Sequence, residues 1–327
     1  MKKYEDIIEY SLEHIEHIAE TRANYIRKLG SYPIFDPTEK VARLLKGAVD
    51  IHCHCGPCVT AIRRSEIDYA KRATEAGMGA IVLKGINEAT ARSAIVDQKI
   101  IDIWAKERNL KPCKILGGVT LCYSVGGLNV DAVINAAQLG GKFIWTPVLD
   151  ASHHRIIHGT VETLGRGIDV LDKNDDVVPE LMEIFKVAAD YDLVLTLSHQ
   201  NTKERLIMVD AARELGVKRI GLVHVFNYTV RLDIEQMEMF IKKGCYLEHH
   251  FRDLAPSAWR WDETLEAFKR LGVDRFILAS DLGNWRAPDP LDMYKITLGF
   301  LLEYGVPEAD IEKLVKLNAE KLIWGDP

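Results

Sequence analysis

The chain has 327 residues, 47% of them hydrophobic and 28% charged, with a formal net charge of −6. A chain of this length can bury a large core without disulfides, and the lack of any Lys/Arg block argues against nucleic acid as a partner. No apolar run approaches the ~20 residues that cross a bilayer, and Met1 to Arg27 is charged throughout, so the expectation is a cytoplasmic protein with reduced cysteines and no membrane partner.

Residues 1–45 form a predicted helical extension, set apart from a domain over 46–327. Ile7, Ile8, Leu12, Ile15, Ile18 and Ala19 recur at helical spacing, and Tyr25, Ile26 and Leu29 continue the stripe until Gly30 and Pro33 end it. A stripe of this kind needs cover, from the chain's own barrel or from a second subunit, and the expectation is a homo-oligomer. His14 and His17 lie on a solvated face with no third ligand type nearby.

Eight short apolar runs follow: Ala48–His52, Ala80–Lys84, Ile115–Leu121, Phe143–Leu149, Leu193–Ser198, Ile220–Val225, Cys245–Glu248 and Phe276–Ser280. Most are rich in β-branched residues and lack polar alternation, as expected of buried parallel strands. Amphipathic segments separate them, including Glu66–Ala76, Ala89–Lys106, Val130–Leu139, Glu180–Ala189, Lys203–Leu215, Ile234–Lys242 and Leu265–Leu271. Strand and helix alternating eight times predict an α/β fold, a closed (β/α)8 TIM barrel with an N-terminal helical extension. The connection from Asp150 to Pro179 is long for such a barrel and is expected to be a lid or a pocket wall.

Histidines and acids fall where the strands end. His52 and His54 close the first strand two residues apart, on one face of it; His199 ends the fifth, His224 the sixth, and Asp281 the eighth. That places five potential ligands on the C-terminal rim, where barrel enzymes keep their sites. Imidazole with carboxylate suits zinc, and also Mn2+ or Fe2+. The expectation is one or two divalent ions held by His52, His54, His199, His224 and Asp281. Cys53 and Cys55 alternate away from the two histidines and read as packed thiols, while the part played by Cys58 is open.

The order His-x-His, His, His, Asp resembles the amidohydrolase superfamily, and the tail Asn318-Ala319-Glu320-Lys321-Leu322-Ile323-Trp324-Gly325 is similar to its closing motif. The nearest resemblance is to an amidohydrolase-related branch without an assigned function, through Asp50–Pro57, Glu75–Lys84, Val125–Asn129 and Ser280–Gly283. It implies a metal-dependent hydrolase in which Asp281 shuttles the proton. Superfamily members with two metals often carry a carboxylated lysine on the fourth strand, but Lys142 sits at that strand's beginning. Lys84, closing the second strand, could take that part as a carbamate, bind an anionic substrate as a cation, or simply reach solvent.

The catalytic candidates are therefore Asp281, His224 and Lys84. Candidates to bind a small anionic substrate are Lys84, Arg63, Arg155, Tyr123, Glu248, His249 and Arg252, with Glu248 also a possible bridging acid and His250 a possible orienting group. Arg64, Arg231 and Arg286 share these loops, and Trp259, Trp261 and Trp285 could wall an apolar substrate. The expected reaction is attack of metal-activated water on an amide, lactone or related bond. A decarboxylase, a phosphoesterase and a catalytically silent metal- or ligand-binding barrel are the alternatives.

Overall fold

The computed structural model describes residues 39–58, 61–86, 88–251, 261–285 and 288–326. The predicted N-terminal helix stripe, Arg252, Trp259 and Arg286 lie outside them, and Trp261 is described by its backbone alone. Nine short strands appear: β1 (Val49–Cys53), β2 (Ala80–Leu83), β3 (Lys114–Leu116), β4 (Gly118–Thr120), β5 (Phe143–Trp145), β6 (Val194–Leu197), β7 (Arg219–Leu222), β8 (Tyr246–His250) and β9 (Phe276–Ala279). All pairings between neighbours are parallel, in the orders β1-β2-β3 and β4 through β9.

The break between the two sheets is local. β3 and β4 are one stave of the barrel interrupted at Gly117, which is why eight predicted runs give nine strands. Gly118 can only be glycine, since a Cβ there would stand 2.0 Å from the Phe143 carbonyl oxygen. On the other side β1 meets the end of β9: Asp281 N–H donates to His52 O at 2.8 Å, and His54 N–H donates to Leu282 O at 2.9 Å. The cylinder is therefore closed, as the eightfold alternation predicts.

Helices fill the crossovers: α1 (Glu39–Leu45), α2 (Glu66–Glu75), α3 (Ala91–Lys106), α4 (Val130–Gln138), α5 (Ser152–Ile157), α6 (Val161–Leu164), α7 (Pro179–Asp190), α8 (Thr202–Glu214), α9 (Ile234–Lys242), α10 (Trp261–Leu271) and α11 (Pro290–Glu303). Their starts are written in the sequence. Ser65 accepts from Asp68 N–H, and Asn201 with Glu204 and Asp233 with Gln236 close reciprocal capping boxes. Among the described residues no helix is long and apolar enough to cross a membrane.

Strand alternation divides the core in two. Ile81, Leu83, Ile144, Leu195, Leu197, Ile220 and Leu222 face the helices, whereas Val49, Ile51, Val82, Phe143, Trp145, Val194 and Ile277 fill the barrel interior. Each fully buried aliphatic side chain contributes about 1.5–3 kcal/mol. The interior is closed from the strand-start side by the last helix. After α12 (Glu308–Glu312) and a π-turn at Lys313–Leu317, α13 (Asn318–Trp324) sends Ala319, Leu322 and Ile323 into the interior cluster. Asn318 anchors it by donating to Val273 O at 2.7 Å and Phe276 O at 2.8 Å.

Candidate metal centre

With the hydrophobic layers filling the lower barrel, the polar residues at the strand ends stand on Trp145, whose ring lies 5.9 Å from Lys84 Nζ. Three backbone irregularities aim them. The pairing register of β1 shifts between Asp50 and Cys53, so Asp50 faces α2 while His52 joins the centre. His224 and Asp281 adopt φ of 60° and 47°, the left-handed region that costs a non-glycine residue about 1–2 kcal/mol. Gly283 is required beside them, because a Cβ there would lie 1.9 Å from His54 O.

Asp50 is the hidden clamp of this arrangement. Wholly buried, it accepts from Ser280 Oγ (2.6 Å), Ser280 N (3.0 Å), Tyr69 Oη (3.0 Å) and His52 N (3.2 Å). It thereby locks the end of β1, which carries His52, to the residue preceding Asp281. Arg205 on α8 does the equivalent for the next pair of ligands. It donates to Ser198 O, to Val223 O at 3.1 Å and to Val230 O at 3.2 Å, tying together the residues just before His199 and His224. Burial lowers its pKa to about 9, which leaves it charged at neutral pH. The sequence reading singled out neither residue.

The imidazoles sort themselves by what their other nitrogen does. His54 Nδ1 lies 2.8 Å from Lys84 O, and a carbonyl only accepts, so Nδ1 donates there and Nε2 is turned toward the centre. That Nε2 is 3.1 Å from Asp281 Oδ1. His52 Nδ1 meets Glu248 Oε1, leaving its Nε2 3.2 Å from the same Asp281 oxygen. Glu248 also accepts from His250 Nε2 at 2.6 Å. On its other side, His250 Nδ1 stands 2.7 Å from His224 Nδ1. Finally, His199 Nδ1 lies 2.7 Å from His154 Nδ1, while His199 Nε2 is buried with no hydrogen-bond partner.

Electrostatics supports the same assignment. Burial, then the nearby Lys84, pushes the His52 pKa down to about 3. Burial above all also pushes His199 and His224 well below their ordinary value. All three are neutral at pH 7, the form in which imidazole binds metal. Burial works to raise the Asp281 pKa, but its polar surroundings, His250 foremost, outweigh it and hold the carboxyl well below its ordinary range. Burial lowers the Lys84 pKa, and its Nζ lies 3.0 Å from His52 Nε2.

These donors fit a divalent ion. His52, His224 and Asp281 bring ligand atoms within 4.8 Å of one another, as do His52, Glu248 and His250. A buried imidazole nitrogen without a partner and carboxylate- and carbonyl-oriented histidines are the usual surroundings of such an ion.

The rim brings together His52, His54, Lys84, His199, His224 and Asp281. Three of the sequence's substrate candidates, His249, Arg155 and Arg63, are engaged elsewhere. His249 faces the helices, packed against Phe226, Phe268 and Phe276 at ring distances of 4.5, 5.4 and 5.1 Å, because strand alternation sends Glu248 and His250 inward and their neighbour outward. Glu248 accepts from two histidines, His52 and His250, through the same oxygen, Oε1. Arg155 is committed to Asp150 (2.6 Å) and to the carbonyls of Leu164 and Gly165. Arg63 donates to Trp285 O at 2.7 Å on the outer edge. Tyr123 is exposed, with the Arg155 guanidinium 5.1 Å over its ring.

The long connection after β5 folds back against the segment after β7 and against His199. His153 pairs with Thr229 O at 2.9 Å, His158 with Thr229 Oγ1 at 3.0 Å and Tyr228 Oη at 3.0 Å, and His154 stacks on both His158 and His199. The sequence showed His153 and His154 in this segment without assigning them a partner.

The architecture defined by this closed cylinder is the (β/α)8 barrel, with a histidine–carboxylate rim at the strand ends. An amidohydrolase from Pseudomonas aeruginosa superposes with a TM-score of 0.61 at 12% identity, covering 89% of this chain and 100% of that one. A probable dipeptidase, PvdM, from the same organism gives 0.58 at 12% identity (88% and 98%), and a dihydroorotase gives 0.54 at 17% (86% and 70%). Residues 47–248 match DUF6282, a family of unknown function, and the chain belongs to that family. No curated protein matches the sequence.

Proposed function

We propose that this protein is a metal-dependent hydrolase. It would hold one divalent ion, with zinc the leading candidate, through His52, His54, His199, His224 and Asp281. The observation that carries this reading is the orientation of the imidazoles. His52 and His54 both turn Nε2 toward one oxygen of Asp281, and their Nδ1 atoms are engaged by Glu248 and by Lys84 O. The amidohydrolase, dipeptidase and dihydroorotase folds likewise support hydrolysis of an amide, lactone or related C–N or C–O bond in a small substrate.

When bound, the ion supplies an acidified water and a polarised substrate carbonyl. Asp281 is placed to take a proton from the nucleophile and return it to the leaving group. Glu248 fixes the tautomers of His52 and His250, and His154 fixes that of His199. Lys84 brings an amine to the ligand nitrogen of His52. Lys84, buried beside His52, would meet the substrate as an amine or serve as a carbamate ligand.

The test is metal analysis joined to a substrate panel. Protein produced with zinc should retain about one ion per chain and hydrolyse at least one amide, ester or lactone. Chelation should remove both properties, and zinc should restore them. No retained metal after supplementation rules the proposal out.

A further inference from the structure

The opposite end of the barrel carries a second cavity, of about 490 Å³, between the starts of β7, β8 and β9 and the end of α13. Its size is within the range of small-molecule sites. Seven of its lining residues are Lys or Arg, against a single lining acid, Asp326, in a chain whose net charge is −6. Many basic surfaces are neutralised by acids just outside the lining, so each base has to be followed to its partner.

Four are matched. Arg219 makes a two-pronged pair with Asp192 at 2.9 and 2.6 Å, Lys243 pairs with Asp210 (2.5 Å), Lys242 with Glu238 (2.9 Å) and Lys321 with Asp326 (3.5 Å). Asp192 is also shared with Lys142, 3.5 Å away, so it has no charge to spare. Among the described residues, Arg213, Lys218 and Arg275 have no carboxylate within ion-pair distance. Asp274, next to Arg275 in sequence, is held by Lys313 at 2.8 Å.

The placement of the unmatched arginines is telling. Arg213 Nη2 and Arg275 Nη1 both donate to the carbonyl oxygen of Gly244, at 3.1 and 3.4 Å. Two guanidinium groups thus converge on one neutral acceptor, a like-charge approach that costs energy unless an anion shares the space. Each is also fixed from another side. Arg213 donates to Val217 O and Lys218 O, and Arg275 lies 4.7 Å over the Tyr246 ring. They are preorganised forks of the kind that grip tetrahedral oxyanions. The C-terminal end of α13 attracts cations, but a helix end carries only about half a charge, too little for three.

We propose that this cavity is a binding site for a compact anion of about three negative charges carried on linked phosphates, a di- or triphosphate group, gripped by Arg213, Lys218 and Arg275. The site is independent of the rim centre and faces the other way along the strands.

Calorimetric titration with tripolyphosphate at 150 mM salt tests it, with citrate as the charge-matched control. Saturable binding at one site per chain is expected, with citrate at least roughly tenfold weaker. Lys218→Gln combined with Arg275→Gln should weaken binding by at least roughly tenfold at unchanged metal content. Lys218→Gln alone, an exposed change that cannot compromise folding, should give a smaller loss in the same direction. Polyphosphate binding that survives both variants unchanged reflects the rim metal and overturns the proposal. So does the absence of binding, or citrate binding as tightly as tripolyphosphate.

Discussion

The two ends of this barrel are built from the same strands and have opposite chemistry. At the strand ends, the buried, neutral imidazoles of His52, His199 and His224 gather beside two ionised carboxylates, Glu248 and Asp281. At the strand starts, lysines and arginines surround a cavity, and among the described residues three of them have no carboxylate at ion-pair distance. Parallel strands make the difference possible, since every stave delivers its first residue to one face and its last to the other. The lesson is that burial selects for neutral ligands and paired acids, whereas exposure tolerates unpaired cations.

The sharpest way to break the comparison is to empty the rim. Replacing His52 and His54 together by Ala should reduce metal affinity by more than the roughly 100-fold typical of losing an outer partner, with activity lost in proportion. Circular dichroism should remain native-like, because the interior layers below do not use those rings. An unchanged metal content would remove the rim from consideration. His154→Ala, which strips His199 Nδ1 of its partner, should cost about 10–100-fold in metal affinity, measured by competition with a chelating dye. Unchanged affinity would mean that the contact only packs the connection.

Smaller effects concern stability. Asp50→Ala leaves four donors facing an empty site, at about 1–3 kcal/mol for each one that water cannot reach. Urea denaturation should show the loss, and its absence would mean that the clamp is redundant. Buried His249 has its pKa pushed well below the ordinary value by burial, then by His250, so the unfolded chain binds a proton there that the native state does not. Its contribution is therefore fully present above the unfolded pKa of about 6.5 and is lost as pH falls below it, at about 1.4 kcal/mol per pH unit. His249→Leu should flatten the stability profile below pH 6 by one proton's worth. A profile with the same slope would place the acid sensitivity elsewhere.

The staves were legible because buried parallel strands leave short β-branched runs, and the ligand positions because strand ends can be counted from those runs. The register shift that turns His52 inward and the left-handed turns at His224 and Asp281 were not legible, since nothing in those residue types announces them. The pattern Glu248-His249-His250 did contain its answer. Alternation separates the middle residue from the outer two, and applying that rule there would have withdrawn His249 as a site candidate. Arg155 and His154 depend on how a long connection folds back, which is decided by contacts with Asp150 and with the segment after β7. Asp50 looked like an ordinary strand residue, and its value comes from Ser280, which lies 230 positions further along the chain.

The closing helix has a consequence for biosynthesis. Ala319, Leu322 and Ile323 complete the interior cluster that includes Val49 and Ile51, so the first stave waits for residues made some 270 positions later. At about 5–20 residues per second, the underside of the nascent barrel stays open for roughly fifteen seconds or more. Until then its apolar lower layer is available to chaperones or to other nascent chains, and a ribosome stalled before Asn318 would release a cylinder without a floor.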